Sequence, residues 1–248
     1  MLPPELSAAL DTAARTPRLL VTSDFDGTLS EIVSNPADAR PLPAASDALI
    51  ALAELPDTEV ALISGRALRD LRVLSSMPEA VHLVGSHGAE FDTGFAHDLD
   101  TGLLARIADT LSGIAADKPG VTVETKPASV ALHVRNASDA DGEAALAAAW
   151  DASTSWDAHA TTGKAVLEFA VISTDKGEAL DILRAEHRAT AVVFFGDDVT
   201  DEKAFRRLGD DDIGVKVGPG DTAAAYRVDA PEDVAAALAH VLSARAAV

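Results

Sequence analysis

Five short runs, LLVTSD (19–24), TEVALIS (58–64), VHLVGS (81–86), AVVFFGD (191–197) and IGVKVG (213–218), are almost wholly apolar, and each ends in Gly, Ser or Asp. Runs of that length without polar alternation read as strands buried on both faces, the pattern of a parallel sheet covered by helices. The stretches AASDALIALAEL (44–55), ALRDLRVLSSM (67–77), KGEALDILRAEH (176–187) and EDVAAALAHVLSARA (232–246) carry a helical period and supply crossovers. The expected fold class is α/β, with an open, mostly parallel, Rossmann-like sheet.

The middle of the chain breaks this rhythm. LLARIADTLSGIAA (103–116) is helix-like and is followed by VTVETK (121–126), SVALHVR (129–135), DADGEAALAAAW (139–150), HATTG (159–163) and AVLEFAV (165–171). That αββαββ order suits an inserted, smaller α+β module of antiparallel strands. Its flanks, 93–102 and 171–177, hold the turn residues expected at a boundary. The expected division is a core of 1–102 and 172–248 around an insert of 103–171.

A formal net charge of −20 argues against nucleic acid or an anionic membrane as partner, since both need basic surface. The chain has no cysteine, which excludes disulfides, thiolate nucleophiles and thiolate metal sites. Oxygen-based chemistry remains. The first twenty residues have no basic start, and Glu5 and Asp11 fall where a signal peptide needs an apolar stretch. A cytoplasmic location is the expectation.

The acidic clusters follow predicted strands, which is where open α/β sheets place ligands. In DFDGTLS, Asp24 and Asp26 stand at i and i+2 and so face one side of an extended segment, with Gly27 permitting a sharp exit. With a divalent ion, one such carboxylate suits attack on phosphorus and the other suits proton transfer. In FFGDDVTDE, four carboxylates within six residues repel one another and call for a cation. Asp197 is the candidate direct magnesium ligand, while Asp198 and Asp201 are placed to hold coordinated waters. Ser64, Gly65 and Arg66 end one strand and open a helix, offering a hydroxyl and backbone N–H groups to a phosphate. Lys176 opens another helix, where a cation opposes the dipole.

The order DFDGT, Ser64, Lys176, GDDVTDE resembles the four motifs of the haloacid dehalogenase superfamily of phosphatases. Within it, DFDGTL, LISGR (62–66), GSHGAE (85–90) and GDDVTDE resemble the signature strings of the trehalose-6-phosphate phosphatase family, over roughly residues 18 to 242. The resemblance implies Asp24 as nucleophile, Asp26 as general acid and then base, and Ser64 and Lys176 holding the phosphoryl group. It places Mg2+ on Asp24, the Asp26 carbonyl and Asp197. It makes the insert a cap that reads the sugar, with Arg66, His87 and Glu90 contributed by the core and Glu124, Lys126, His133, Arg135 and Glu168 by the cap. Glu124 with Lys126, and His133 with Arg135, are expected to share strand faces.

The implied substrate is trehalose 6-phosphate, a sugar phosphate, with a trehalose-phosphate synthase as a conceivable partner. The alternatives are a phosphatase for sucrose or mannosyl-glycerate phosphates and a catalytically silent phosphosugar-binding regulatory subunit. One departure stands out: where the family continues after Glu168 with Arg-Pro, this chain has Phe169 and Ala170. His82, His97, His159, His187 and His240 show no metal-ligand spacing and read as structural or exposed. Trp150 and Trp156 read as packing residues.

Overall fold

A computed structural model describes residues 2–163 and 165–248, which fall into two compact units, Met1–Ala96 with Thr174–Val248, and His97–Ser173. In chain order the first unit opens with α1 (Pro4–Ala13), β1 (Leu19–Ser23), α2 (Pro43–Ala53), β2 (Thr58–Ile63), α3 (Leu68–Ser75), β3 (Val81–Gly85), β4 (Glu90–Phe91) and β5 (Gly94–Phe95). The second unit holds α4 (Thr101–Ala115), β6 (Thr122–Thr125), β7 (Ser129–His133), α5 (Asp139–Ser153), β8 (His159–Gly163) and β9 (Val166–Ala170). The chain then returns to the first unit through α6 (Lys176–His187), β10 (Ala191–Gly196), α7 (Glu202–Phe205), β11 (Ile213–Val217), β12 (Tyr226–Val228) and α8 (Pro231–Arg245).

The large sheet has the order β12-β11-β10-β1-β2-β3-β4-β5, and every pair from β12 to β3 is parallel. The absence of polar alternation now has its cause. Leu19 and Val21 pack on one side with Leu6, Leu10, Leu49, Leu52 and Leu238, while Leu20 packs on the other with Leu180, Leu183, Val192 and Phe194. Each strand thus serves two helical layers, and each buried Leu contributes ~1.5–3 kcal/mol relative to exposure.

The N-terminal α1 was not anticipated from periodicity; Pro4 starts it, and Leu6, Leu10 and Ala13 line its buried stripe. The two-residue β4 and β5 add an antiparallel edge to β3. From β1 the chain steps one way to β2 and β3, then returns to pair β10 on the opposite side of β1. That reversal opens a crevice at the carboxyl ends of β1 and β10.

The second unit is an antiparallel sheet, β6-β7-β9-β8, with α4 and α5 on one face. Asp100 caps α4 by accepting from the Leu103 N–H, and Ser138 caps α5 by accepting from Asp141 N–H. Val130, Leu132, Leu167 and Phe169 meet Leu103, Ile107, Leu111, Ala145 and Ala149 in its core. Strand alternation therefore turns Glu124, Ala131, Thr161 and Glu168, one lateral row in the register, to the opposite face. Trp150 and Trp156 meet the edge of Phe169, ring centroids 6.4 and 5.0 Å away, so both act in packing. No helix among the described residues is long and apolar enough to cross a membrane.

Candidate active site

The β1–β10 ladder runs one step past the strand, with the Asp24 N–H donating to the Phe195 carbonyl at 2.9 Å. The next residues turn back at once: the Leu29 and Ser30 N–H groups both donate to the Phe25 carbonyl, and buried Phe25 and Leu29 anchor the loop in the core. Gly27 makes this turn possible at φ +77°, and a Cβ there would fall inside the van der Waals surface of the Asp197 carboxylate. The two acidic segments therefore meet because residue 27 has no side chain.

Asp24 is 5% exposed and Lys176 2%. Lys176 Nζ lies 2.9 Å from Asp24 Oδ1 and 2.7 Å from Asp201 Oδ1. Asp201 Oδ2 accepts from the Asp197 N–H at 3.0 Å and the Asp198 N–H at 2.9 Å. Both Asp201 oxygens thus have partners, and this residue holds the lysine and shapes the loop that carries Asp197. Asp175 caps the helix beginning at Lys176. The unfavourable placement of a cation at a helix start is offset by two carboxylates.

Burial pushes the Asp24 carboxyl up to about 7, with Lys176 opposing the shift and Asp201 adding to it. Burial also raises Asp197, and the nearby Asp201 charge adds to that rise. Desolvation acts to discharge Lys176, but the attraction of Asp24 and Asp201 outweighs it and holds the ammonium above its ordinary value.

Carboxylate oxygens of Asp24, Asp197 and Asp201 lie within 4.8 Å of one another. This all-oxygen set, with two members driven toward protonation by burial and mutual repulsion, fits a hard divalent cation. Asp198 borders the same crevice, its Oδ1 accepting from the Val199 N–H.

Asp26 is gripped by Arg66 through two bonds of 2.6 Å, Nε to Oδ2 and Nη2 to Oδ1. This pairing raises the Arg66 pKa further above its ordinary value. The guanidinium carbon also lies 5.6 Å from the centre of the Phe25 ring. Ser64 is buried at the end of β2, its hydroxyl accepting from the Arg66 N–H at 3.2 Å. His87 adopts the left-handed conformation at φ 56° and lies over Gly65. Glu90 starts β4 and accepts from the Ser86 hydroxyl. Asp24, Asp26, Ser64, Arg66, His87, Lys176, Asp197 and Asp198 together line one crevice of about 640 Å³, with Ile32 and Val33 at its mouth.

Two residues in this crevice region escaped the sequence reading. Thr28 donates to Asp197 Oδ1 at 3.4 Å, and Lys216 is buried with its ammonium on the Asp197 carbonyl and, at 3.0 Å, on the Val217 carbonyl. A lysine inside the apolar run IGVKVG was the available signal.

In the second unit, Lys126 Nζ contacts both Glu168 oxygens at 3.1 and 3.0 Å, Ser129 donates to Glu168 at 2.6 Å, and His133 Nε2 lies 2.9 Å from Glu124. β7 ends at His133, because the chain turns through 135–136 to reach the α5 cap, and Arg135 borders a separate crevice with Ser138, Asp139 and Glu143. Phe169 lies in the helix-covered core. A cation at that position has no place on the polar face.

Residues 22–232 match the family model described as Trehalose-phosphatase. The chain is 38% identical over 231 residues to a trehalose-phosphate phosphatase of Mycobacterium avium (strain 104), covering 84% of this chain and 58% of that protein. It is 36% identical over 250 residues to the one of Mycobacterium leprae (strain TN), covering 90% and 57%. The chain therefore spans less than two thirds of the length of these curated relatives. Among solved structures, an Aspergillus fumigatus trehalose-6-phosphate phosphatase matches with TM-score 0.73 and 25% identity, covering 96% of this chain and 97% of that one. The Candida albicans trehalose-6-phosphate phosphatase C-terminal domain, at TM-score 0.71 and 22% identity over 96% of each chain, shares the fold. With motifs, topology and crevice in agreement with that match across most of its length, the chain belongs to the trehalose-phosphatase family.

Proposed function

We propose that this chain hydrolyses trehalose 6-phosphate to trehalose and inorganic phosphate. The observation that carries this reading is the buried Lys176, bound to Asp24 at 2.9 Å in the crevice that also holds Asp26 and Ser64. A carboxylate, a fixed ammonium and a second carboxylate two residues on are the parts that phosphoryl transfer to an aspartate requires. The activity carried by the relatives' names supports the same reaction class.

In the first step Asp24 attacks phosphorus, the bond from phosphorus to the sugar oxygen breaks, and Asp26 delivers a proton to that leaving oxygen. In the second, Asp26 takes a proton from water as the water attacks phosphorus, and the Asp24 carboxylate is released. Lys176 and the Ser64 hydroxyl hold the phosphoryl oxygens, and Lys176 offsets the charge that gathers on them. Asp26 can do this only when the Arg66 grip opens, so Arg66 is placed to exchange one anion, Asp26, for another, the incoming phosphate. Asp24, Asp197 and the Asp26 carbonyl would hold Mg2+, which supplies charge neutralisation between an anionic substrate and a carboxylate attacker. Asp201 then acts by positioning Lys176, and Asp198, on the lining of the same crevice, would hold a water coordinated to the ion.

On the second unit, Glu124, Lys126, His133 and Glu168 form a row of charged donors and acceptors of the kind that binds a disaccharide, which has many hydroxyls and no apolar handle.

The test is phosphate release with Mg2+ from trehalose 6-phosphate, sucrose 6-phosphate, glucose 6-phosphate and a mannosyl-glycerate phosphate, in the wild type and in Asp24→Asn. A preference for trehalose 6-phosphate of a hundredfold, about 2.7 kcal/mol of differential transition-state binding, supports the reading, with turnover lost in the variant. A broad preference that still depends on Asp24 would keep the chemistry and overturn the substrate.

A further inference from the structure

At the other end of the sheet, three residues far apart in sequence converge. Glu59 is the second residue of β2 and His82 the second of β3; the register pairs Ala61 with His82, so Glu59, Ala61 and His82 share one sheet face. His187 is the last residue of α6. Its Nδ1 lies 3.5 Å from Glu59 Oε2, and His82 Nε2 lies 3.2 Å from the same oxygen. The two imidazoles face each other with centroids 4.4 Å apart.

From these positions we infer that Glu59, His82 and His187 form a second metal site, for a divalent transition ion of the zinc class. Metal–nitrogen and metal–oxygen bonds of ~2.0–2.2 Å in a tetrahedron put neighbouring ligand atoms about 3.4 Å apart, the spacing seen on both sides of Glu59. One ligand atom from each residue lies within 4.8 Å of the others. Two imidazoles and one carboxylate select zinc-class ions over magnesium, and three protein ligands leave a fourth position for water.

Two further observations bear on this reading. The Nε2 of His187 is buried and has no hydrogen-bond partner among the described residues, which leaves Nδ1, the nitrogen beside Glu59, as the one that would ligate. The carbonyl end of α6, the negative end of its dipole, reaches its last residue at His187. A cavity of about 170 Å³ bordered by Glu59, His187, Asp57 and Arg18 gives an entry for the ion. Arg18, the competing cation, is turned to other acceptors, 3.4 Å from the His187 carbonyl and 4.0 Å from Asp57. The site would tie β2 and β3 to the far end of the helix whose first residue is Lys176, ~18 Å away along its axis.

The experiment is Zn2+ titration of the full chain by calorimetry under saturating Mg2+, with the visible spectrum of Co2+ as a second readout of nitrogen ligation. The expected result is one zinc site per chain in the wild type and in Asp197→Asn, a thermal midpoint raised by Zn2+, and affinity lowered at least tenfold in both His82→Gln and His187→Gln. Unchanged zinc stoichiometry and affinity in the two histidine variants would overturn the inference. So would the loss of zinc in Asp197→Asn, or an absence of binding in the wild type, which would leave one hydrogen bond and one ion-pair contact to a carboxylate and no more.

Discussion

Lys176 Nζ bridges Asp24 and Asp201 at 2.9 and 2.7 Å in a pocket where none of the three side chains is more than 7% exposed. Removing the lysine leaves two buried carboxylates facing each other without a counter-charge, a loss of about 3–5 kcal/mol for a broken buried pair. Lys176→Met is therefore expected to lower the urea midpoint sharply and to abolish turnover. Added Mg2+ should recover part of the stability and none of the turnover. A variant that unfolds at the wild-type midpoint would show that the bridge is not formed in solution.

Asp26→Ala removes the proposed proton donor without touching the buried bridge. The expected effect is a fall in kcat of ~10²–10⁴, with a much smaller change in KM. The Asp26–Arg66 pair is partly open to solvent, with side-chain exposures of 33% and 16%, so screening limits its part in stability to about 1 kcal/mol. Thermal midpoints of Asp26→Ala near the wild-type value, beside the kinetic loss, would separate chemistry from folding. An unchanged kcat would remove Asp26 from the mechanism.

In protein stripped with EDTA, the Asp24 carboxyl stands at about 7 when folded, against 3.8 ordinarily. Between those values the folded chain binds more protons than the unfolded one, so this group makes stability fall as pH rises from about 4 to about 7. Mg2+ binds the ionised form and must displace the proton. Calorimetry near pH 5.5 in buffers of different ionisation enthalpy should show proton release on Mg2+ binding, and the release should vanish near pH 8.5. Equal release at both pH values would contradict the burial-driven shift.

Gly27→Ala places a Cβ against the Asp197 carboxylate and asks a residue at φ +77° to hold a left-handed turn. The backbone conformation alone costs ~1–2 kcal/mol. The variant is expected to need more Mg2+ for half-maximal activity, because the two acidic segments are pushed apart. Wild-type Mg2+ dependence would show that the loop absorbs the methyl group.

Phe169→Arg, which places a cation directly after Glu168, is expected to destabilise the second unit rather than improve its substrate affinity. The wild-type ring is fully buried against Trp156 and Trp150, and loss of such a ring costs ~3–5 kcal/mol before any charge is buried. A lowered KM for trehalose 6-phosphate at unchanged stability would contradict the placement of Phe169.

The parallel sheet could be read from the sequence because its strands are buried on both faces, and an unbroken apolar run as short as AVVFFG suits a doubly covered strand better than a helix. The acidic motifs were legible because they follow those runs. Two-residue strands such as β4 and β5 carry no period, and α1 shows only three buried positions. The bridging of Asp201 by Lys176 was hidden for a different reason: carboxylates that bind a metal and carboxylates that bind a lysine look alike in sequence. The same holds for Glu59, His82 and His187, whose convergence depends on strand register and helix length. Pairing Arg135 with His133 by an i, i+2 rule presumes a strand through residue 135, and β7 stops at His133.

The first unit is built from two separated segments of chain, and the crevice draws on both, as in the bond between Thr28 and Asp197, 169 residues apart. During synthesis the nucleophile emerges with the first segment, well before the lysine that must sit against it. No partial product of translation that ends before Lys176 and Asp197 can therefore carry the assembled crevice. Contacts of such long range also form late and slowly in folding, because chain entropy must be overcome before they add stability. In a refolding experiment, recovered turnover would report the closing of the β1–β10 ladder itself, making the reaction a clock for the last topological step of the fold.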